Sequence, residues 1–206
     1  MIAYLVLGAT YAFAAAVQPG PLLAYLASRA VADGWRRSLP AALAPVVSDG
    51  PIIVLVLTVL SHVPDRLMVA LRCGGGLFLL YLSVGAFKTW RRYDETIGKD
   101  SGAPRRSLLG ATIVNLLNPG PYLGWSLVLG PLLLKGWRET PANGVALIVG
   151  FYATMVFSLA GIILLFAKAR RLGPQVGRAL VGVSVVALAC FGCYQLWMGI
   201  KGLLSA

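Results

Sequence analysis

Acidic residues are what this sequence has least of. Among its 206 residues, 7 Asp and Glu stand against 18 Lys and Arg, and charged residues of both signs make up only 12%. A soluble domain normally needs about 25% charged residues to cover its surface, so a water-facing globule is excluded. The chain has one histidine, His62, expected in a loop beside Pro64, and three cysteines, Cys73, Cys190 and Cys193. A structural zinc site takes four ligands, so the Cys190-x-x-Cys193 pair, set in an apolar stretch, lacks two of them and reads as small apolar side chains. No metal site and no cofactor are expected. The apolar stretches also hold no histidine, no paired acids and no nucleophile–base pair, which argues against an enzyme.

Long hydrophobic runs take up the rest. Hydrophobic residues are 58% of the chain and the mean hydropathy is +0.80. Uncharged runs cover 1–28, 107–134, 140–167 and 179–200, while 38–61 carries only Asp49 and 67–87 only Arg72. A membrane-spanning helix needs roughly 20 mainly apolar residues, so six spans are predicted. A membrane barrel would instead show segments of about ten residues with alternating polarity, and none appear. The Ala14-Ala15-Ala16 stretch imitates a signal-peptide cleavage site, but no basic segment precedes it and the apolar run is too long, so the first span is expected to remain in the mature chain.

The net charge of +11 follows from orientation. With the N-terminus outside, thirteen Lys and Arg fall in the loops on the cytoplasmic side, among them Arg36, Arg37, Lys88, Arg91, Arg105, Arg106, Lys168 and Arg170. Five (Arg66, Arg72, Lys135, Arg138 and Lys201) fall on the other side. Positive residues accumulate in cytoplasmic loops, so both termini are predicted outside the cytoplasm of a multi-pass protein of the cell (inner) membrane. The longest loop, about 19 residues, is too small for a nucleic-acid-binding surface. Trp35, Trp90, Trp137 and Tyr93 fall at span ends, where aromatic belts lie against lipid headgroups.

The chain repeats itself. Gln18-Pro19-Gly20-Pro21 in the first span returns as Asn118-Pro119-Gly120-Pro121 in the fourth, 100 residues later, and Gly34-Trp35-Arg36 returns as Gly136-Trp137-Arg138. Three spans per half is an odd number, so the halves enter the membrane from opposite sides. The prediction is an all-α membrane fold of six helices in a 3+3 inverted-topology repeat, a single transmembrane domain over 1–206. Repeat one is 1–90, a cytoplasmic linker 91–106, and repeat two 107–206. Such repeats build secondary transporters that bind solute near the membrane midplane at discontinuous helices.

Proline supplies the discontinuity. Pro19 and Pro21 lack the N–H groups that would bond the carbonyls of Ala15 and Val17, and Pro119 and Pro121 do the same to Asn115 and Leu117. Gly20 and Gly120 are expected to let the backbone leave helical geometry. Each break starts a new helix whose N-terminus favours an anion, such as a carboxylate. Asp49 brings the opposite charge: about 11 residues inside its span, it lies roughly 16 Å deep, near the middle of a hydrocarbon core about 30 Å thick. An ionisable group there is a functional candidate. The repeat pairs it with Gly150, so one half alone carries the acid. The predicted solute site comprises Gln18, Pro19, Gly20, Pro21, Asp49, Asn115, Asn118, Pro119, Gly120 and Pro121.

At these residues the sequence resembles the LysE-type (LysE/RhtB-like) amino-acid exporters. The likeness rests on Pro19-Gly20-Pro21, Gly34, Asp49, Gly75, Leu80-Tyr81-Leu82, Gly85 and Asn118-Pro119, and spans nearly the whole chain. Two places depart from the pattern: Ala44-Pro45-Val46-Val47-Ser48 replaces a glycine-rich approach to Asp49, and Gly120 replaces a basic residue. The resemblance implies efflux of amino acids or related small solutes, driven by a proton or ion gradient; beside that solute, the partners considered are membrane lipid and a second copy in a homodimer, an oligomeric state the sequence leaves open. A six-span thiol–disulfide electron conduit is the rival from another class, but it needs a reactive cysteine in each proline motif, where Gly20 and Gly120 stand. A divalent-metal exporter would call for His-rich or acidic tracts that the chain lacks.

Overall fold

Residues 1–58, 65–91, 104–169 and 173–204 are described by a computed structural model. His62, Tyr93, Gly98, Ala206 and residues 92–103 of the expected linker lie outside the described residues. Within them every regular element is a helix, as continuous apolar sequence demands in lipid, where each backbone group must find its partner within the segment.

Helix α1 (Ile2–Val17) stops where the prolines withdraw two donors. Gln18 adopts extended geometry at φ −62° and ψ 126°, and α2 (Pro21–Asp33) departs at 66° to α1. Gly34 then turns the chain at φ 81° and ψ 168°, a combination essentially restricted to glycine. Next come α3 (Trp35–Ser38), a 3-10 turn (Leu39–Leu43), α4 (Ala44–Thr58) and α5 (Asp65–Arg91). Beyond the undescribed segment lie α6 (Pro104–Leu116), α7 (Pro119–Gly124), a π-helical turn (Trp125–Leu129), α8 (Gly130–Glu139), α9 (Pro141–Ala169) and α10 (Pro174–Leu204).

Among the described residues, four stretches are long and apolar enough to cross a membrane: Trp35–Val56, Val69–Lys88, Pro141–Ala169 and Gln175–Leu204. The bent pair α1 and α2 makes a fifth if it is one span. The 107–134 run, predicted as one span, is divided. Its first part, Ser107–Leu116, is a shorter apolar helix. Asn118 then leaves helical geometry at φ −84° and ψ 124°, and its side chain takes the Gly120 amide at 3.1 Å. That local bond competes with helix continuation next to two prolines that cannot donate.

The helices meet at glycines. The largest contacts join α5 to α10 and α1 to α9, and α4 packs on α6. A Cβ at Gly76 would sit 2.9 Å from the Gly192 carbonyl, and one at Gly192 3.0 Å from that of Gly76. On the other pair, a Cβ at Gly8 would run into the Leu147 carbonyl and one at Gly150 into that of Leu5. Small residues of this kind let membrane helices approach backbone to backbone. Gly150, which the repeat pairs with Asp49, therefore has no room for any side chain.

Large apolar side chains also cover the outside: Val54, Leu77, Tyr81, Phe157, Leu165 and Val183 are all exposed. Patches of that extent are foreign to soluble monomers and natural against lipid. Cys190 and Cys193 are free and exposed on α10, and Cys73 is free and half-buried on α5. None of them lies in a proline motif.

Candidate functional site

Asp49 is 3% exposed, and its carboxylate is held from three helical segments. On α4 itself, Ser48 lies beside it, the hydroxyl 3.4 Å from Oδ1 and donating to the Ala44 carbonyl at 2.9 Å. From α6, the Asn115 amide donates to Oδ1 at 3.0 Å and to the Ser48 hydroxyl at 2.7 Å. From the π turn, the Trp125 indole N–H donates to Oδ2 at 3.3 Å. Among the described residues the carboxylate is thus met by hydrogen-bond donors and by no cation, unlike a buried ion pair, where a neighbouring charge would hold it ionised. A carboxyl surrounded in this way is able to take up or release a proton, or to pair with a cation that arrives.

Both proline motifs come to the same place as Asp49. Gln18, Pro19, Gly20 and Pro21 line a cavity of about 200 Å³, and so do Asp49, Asn115, Asn118, Gly120 and Pro121. Of the ten residues singled out in the sequence, Pro119 alone is not on its wall. The two helix starts differ. At α7 the Asn118 side chain occupies the Gly120 amide, whereas Gly20 puts no side chain on the start of α2. The first helical bond of α2 runs from the Ala24 amide to the Gly20 carbonyl at 3.0 Å, so the amides of Leu22 and Leu23 precede it. Both leucines line the cavity.

The backbone leaves helical geometry at Gly20, whereas Gly120 lies within α7 and the break there falls at Asn118. Gly20 stands at φ −173° and ψ −179°, extended backbone open to any residue, and a Cβ there would meet only the Gln18 carbonyl at 3.8 Å. A Cβ at Gly120 would come within 3.3 Å of the Asn118 side chain that caps α7. What small size secures at these two places is room in the cavity and access to the cap.

The family model for LysE type translocators matches residues 13–203. The chain belongs to the LysE type translocator family. No match to it was found among curated proteins or among solved structures. Family and fold together make it a multi-pass membrane protein of a family of small-molecule transporters.

Sequence reasoning missed part of this translocator's site. Trp125 stands nine residues inside the 107–134 run, away from the interfacial belts to which tryptophan is drawn, and that misplacement was its only signal. It is 1% exposed and packs edge-on against Phe151, ring centroids 5.6 Å apart. Tyr11, Phe151 and Met155 also line the cavity; nothing in an apolar helix distinguishes such residues from lipid-facing ones. The π turn that carries Trp125 follows the break directly, and such turns frequently accompany functional sites.

Proposed function

We propose that this translocator is a secondary-active exporter of amino acids or related small solutes, coupled to the proton or ion gradient of the cell (inner) membrane. The single observation that carries the proposal is a buried carboxylate with no cationic partner among the described residues, Asp49, on the wall of a cavity shared by both proline motifs. In this reading the solute's amine pairs with Asp49, and its carboxylate takes the amides at the start of α2, where the helix dipole favours an anion. Gln18, Asn115 and Asn118 complete the polar wall. Protonation of Asp49, or its pairing with the amine, couples movement of solute to the gradient.

The architecture proposed for it is the inverted 3+3 repeat, with residues 1–90 and 107–206 as the two halves and both termini outside the cytoplasm. Supporting this is the packing pattern. Counting expected spans, first lies on fifth, second on fourth and third on sixth, a pattern that maps onto itself when the halves are exchanged.

Cells test the proposal directly. Deleting the gene should raise intracellular levels of the transported amino acids, and overexpression should release them to the medium. Unchanged amino-acid pools in both strains would contradict it.

A further inference from the structure

Among the described residues, Asp49 is the only charged one on the wall of the cavity, and the rest of that wall divides by chemistry. The amides of Gln18, Asn115 and Asn118 belong to the polar part. Along α9, Phe151, Met155 and Leu159 follow at four-residue spacing, all buried and all on the wall. Residues so spaced share one face of a helix and extend about 12 Å at 1.5 Å per residue. The stripe begins beside the acid, because the Phe151 ring packs on the indole that donates to Asp49. From there it continues through Met155 and Leu159, and Leu129 adds a further apolar surface.

We infer that the site takes zwitterionic amino acids with uncharged aliphatic side chains, held with the amine at Asp49 and the side chain along Phe151, Met155 and Leu159, and that it rejects both basic and acidic amino acids. This rests on the export reading above and narrows it. One carboxylate neutralises one ammonium. A lysine or a diamine would bring a second ammonium into the aliphatic part of the wall, and an unpaired charge in apolar surroundings is strongly disfavoured. A glutamate side chain would bring a second anion into a cavity that already holds Asp49 and has no basic residue on its wall among the described residues. The volume, about 200 Å³, is below the roughly 300–1,000 Å³ of pockets for drug-sized ligands, which suits a single small solute. Within the aliphatic set selection should be loose, since one methylene in an apolar pocket discriminates only about 10–200-fold.

The test uses the full chain reconstituted in liposomes, with leucine, isoleucine, lysine and glutamate each exchanged against itself so that no net charge moves. Leucine and isoleucine should exchange saturably. Lysine and glutamate should be slower by more than roughly two-hundredfold, beyond what a methylene confers. Lysine or glutamate exchange as fast as leucine would overturn the inference and leave the export reading standing. If no amino acid exchanges at all, the export reading fails and the inference with it. A gain-of-function variant tests the assigned wall independently: Met155→Glu places a second acid on the stripe and should raise the lysine-to-leucine ratio at least roughly tenfold. A reconstituted, folded Met155→Glu protein with the wild-type ratio would show that the side chain does not lie along α9.

Discussion

Asp49 is held by donors that the chain brings from far away in sequence. Asn115 lies 66 residues beyond it and Trp125 76 residues beyond it. Both bonds go to a carboxylate, and hydrogen bonds to charged groups contribute about 1.5–3 kcal/mol. Trp125→Phe keeps the ring against Phe151 and removes only the N–H. It should slow transport by roughly ten- to a hundredfold while the protein still inserts and folds. Efflux from vesicles, normalised to inserted protein, measures it, and wild-type efflux would mean that the indole merely fills space. Asp49 itself was legible in the sequence because a charge inside an apolar run stands out. Its donors were not: Trp125 resembles any buried aromatic until the fold sets it beside the acid. Ser48 appeared only as a departure from a glycine-rich pattern, yet its hydroxyl accepts the Asn115 amide at 2.7 Å.

At the scale of elements, the prolines were the readable signal, because a missing donor ends a helix whatever surrounds it. Helix α1 stops at Val17 and α6 at Leu116, each just before its motif. The role of the glycines was not readable, since sequence does not reveal whether a glycine is needed for its φ, for close approach or for space. Three glycines separate these cases. Gly34, at φ 81° and ψ 168°, is needed for its backbone, and Gly34→Ala should cost about 1–3 kcal/mol. Gly150 is needed for approach: Gly150→Val drives a side chain into the Leu5 carbonyl, and overpacking of this kind costs about 1–3 kcal/mol or more. Reduced thermal stability in detergent for both, with Gly150→Val the lower, is the expected result. Gly20 is needed for space, so Gly20→Ala should transport nearly normally while Gly20→Val, which fills the cavity, should insert and not transport. Equal loss from both Gly20 variants would point to backbone geometry instead.

For the molecule as a whole, the membrane class was plain from composition, because a chain with 12% charged residues has too little polar surface for water. The division of the 107–134 run is invisible to hydropathy, which ignores where a helix stops, and was legible only through Pro119 and Pro121. Orientation is testable through the thirteen-to-five charge asymmetry: reporter fusions at Gly98 and Ala206 should report opposite sides of the membrane, Gly98 inside, and a shared side would break the six-span arrangement. Transport itself is the central claim, and it converges on one carboxyl group. Asp49→Asn preserves the shape of the cavity and removes both the charge and the titration. Proteoliposomes holding wild-type or Asp49→Asn protein at equal density, loaded with amino acid and given an imposed proton gradient, provide the most direct measurement. Wild-type protein should release solute in proportion to the gradient, and Asp49→Asn should show no gradient-driven release. Exchange that survives in the mutant would make Asp49 a proton carrier, and exchange that fails would make it the partner of the amine. Release by Asp49→Asn at the wild-type rate, with the same dependence on pH, would contradict the account.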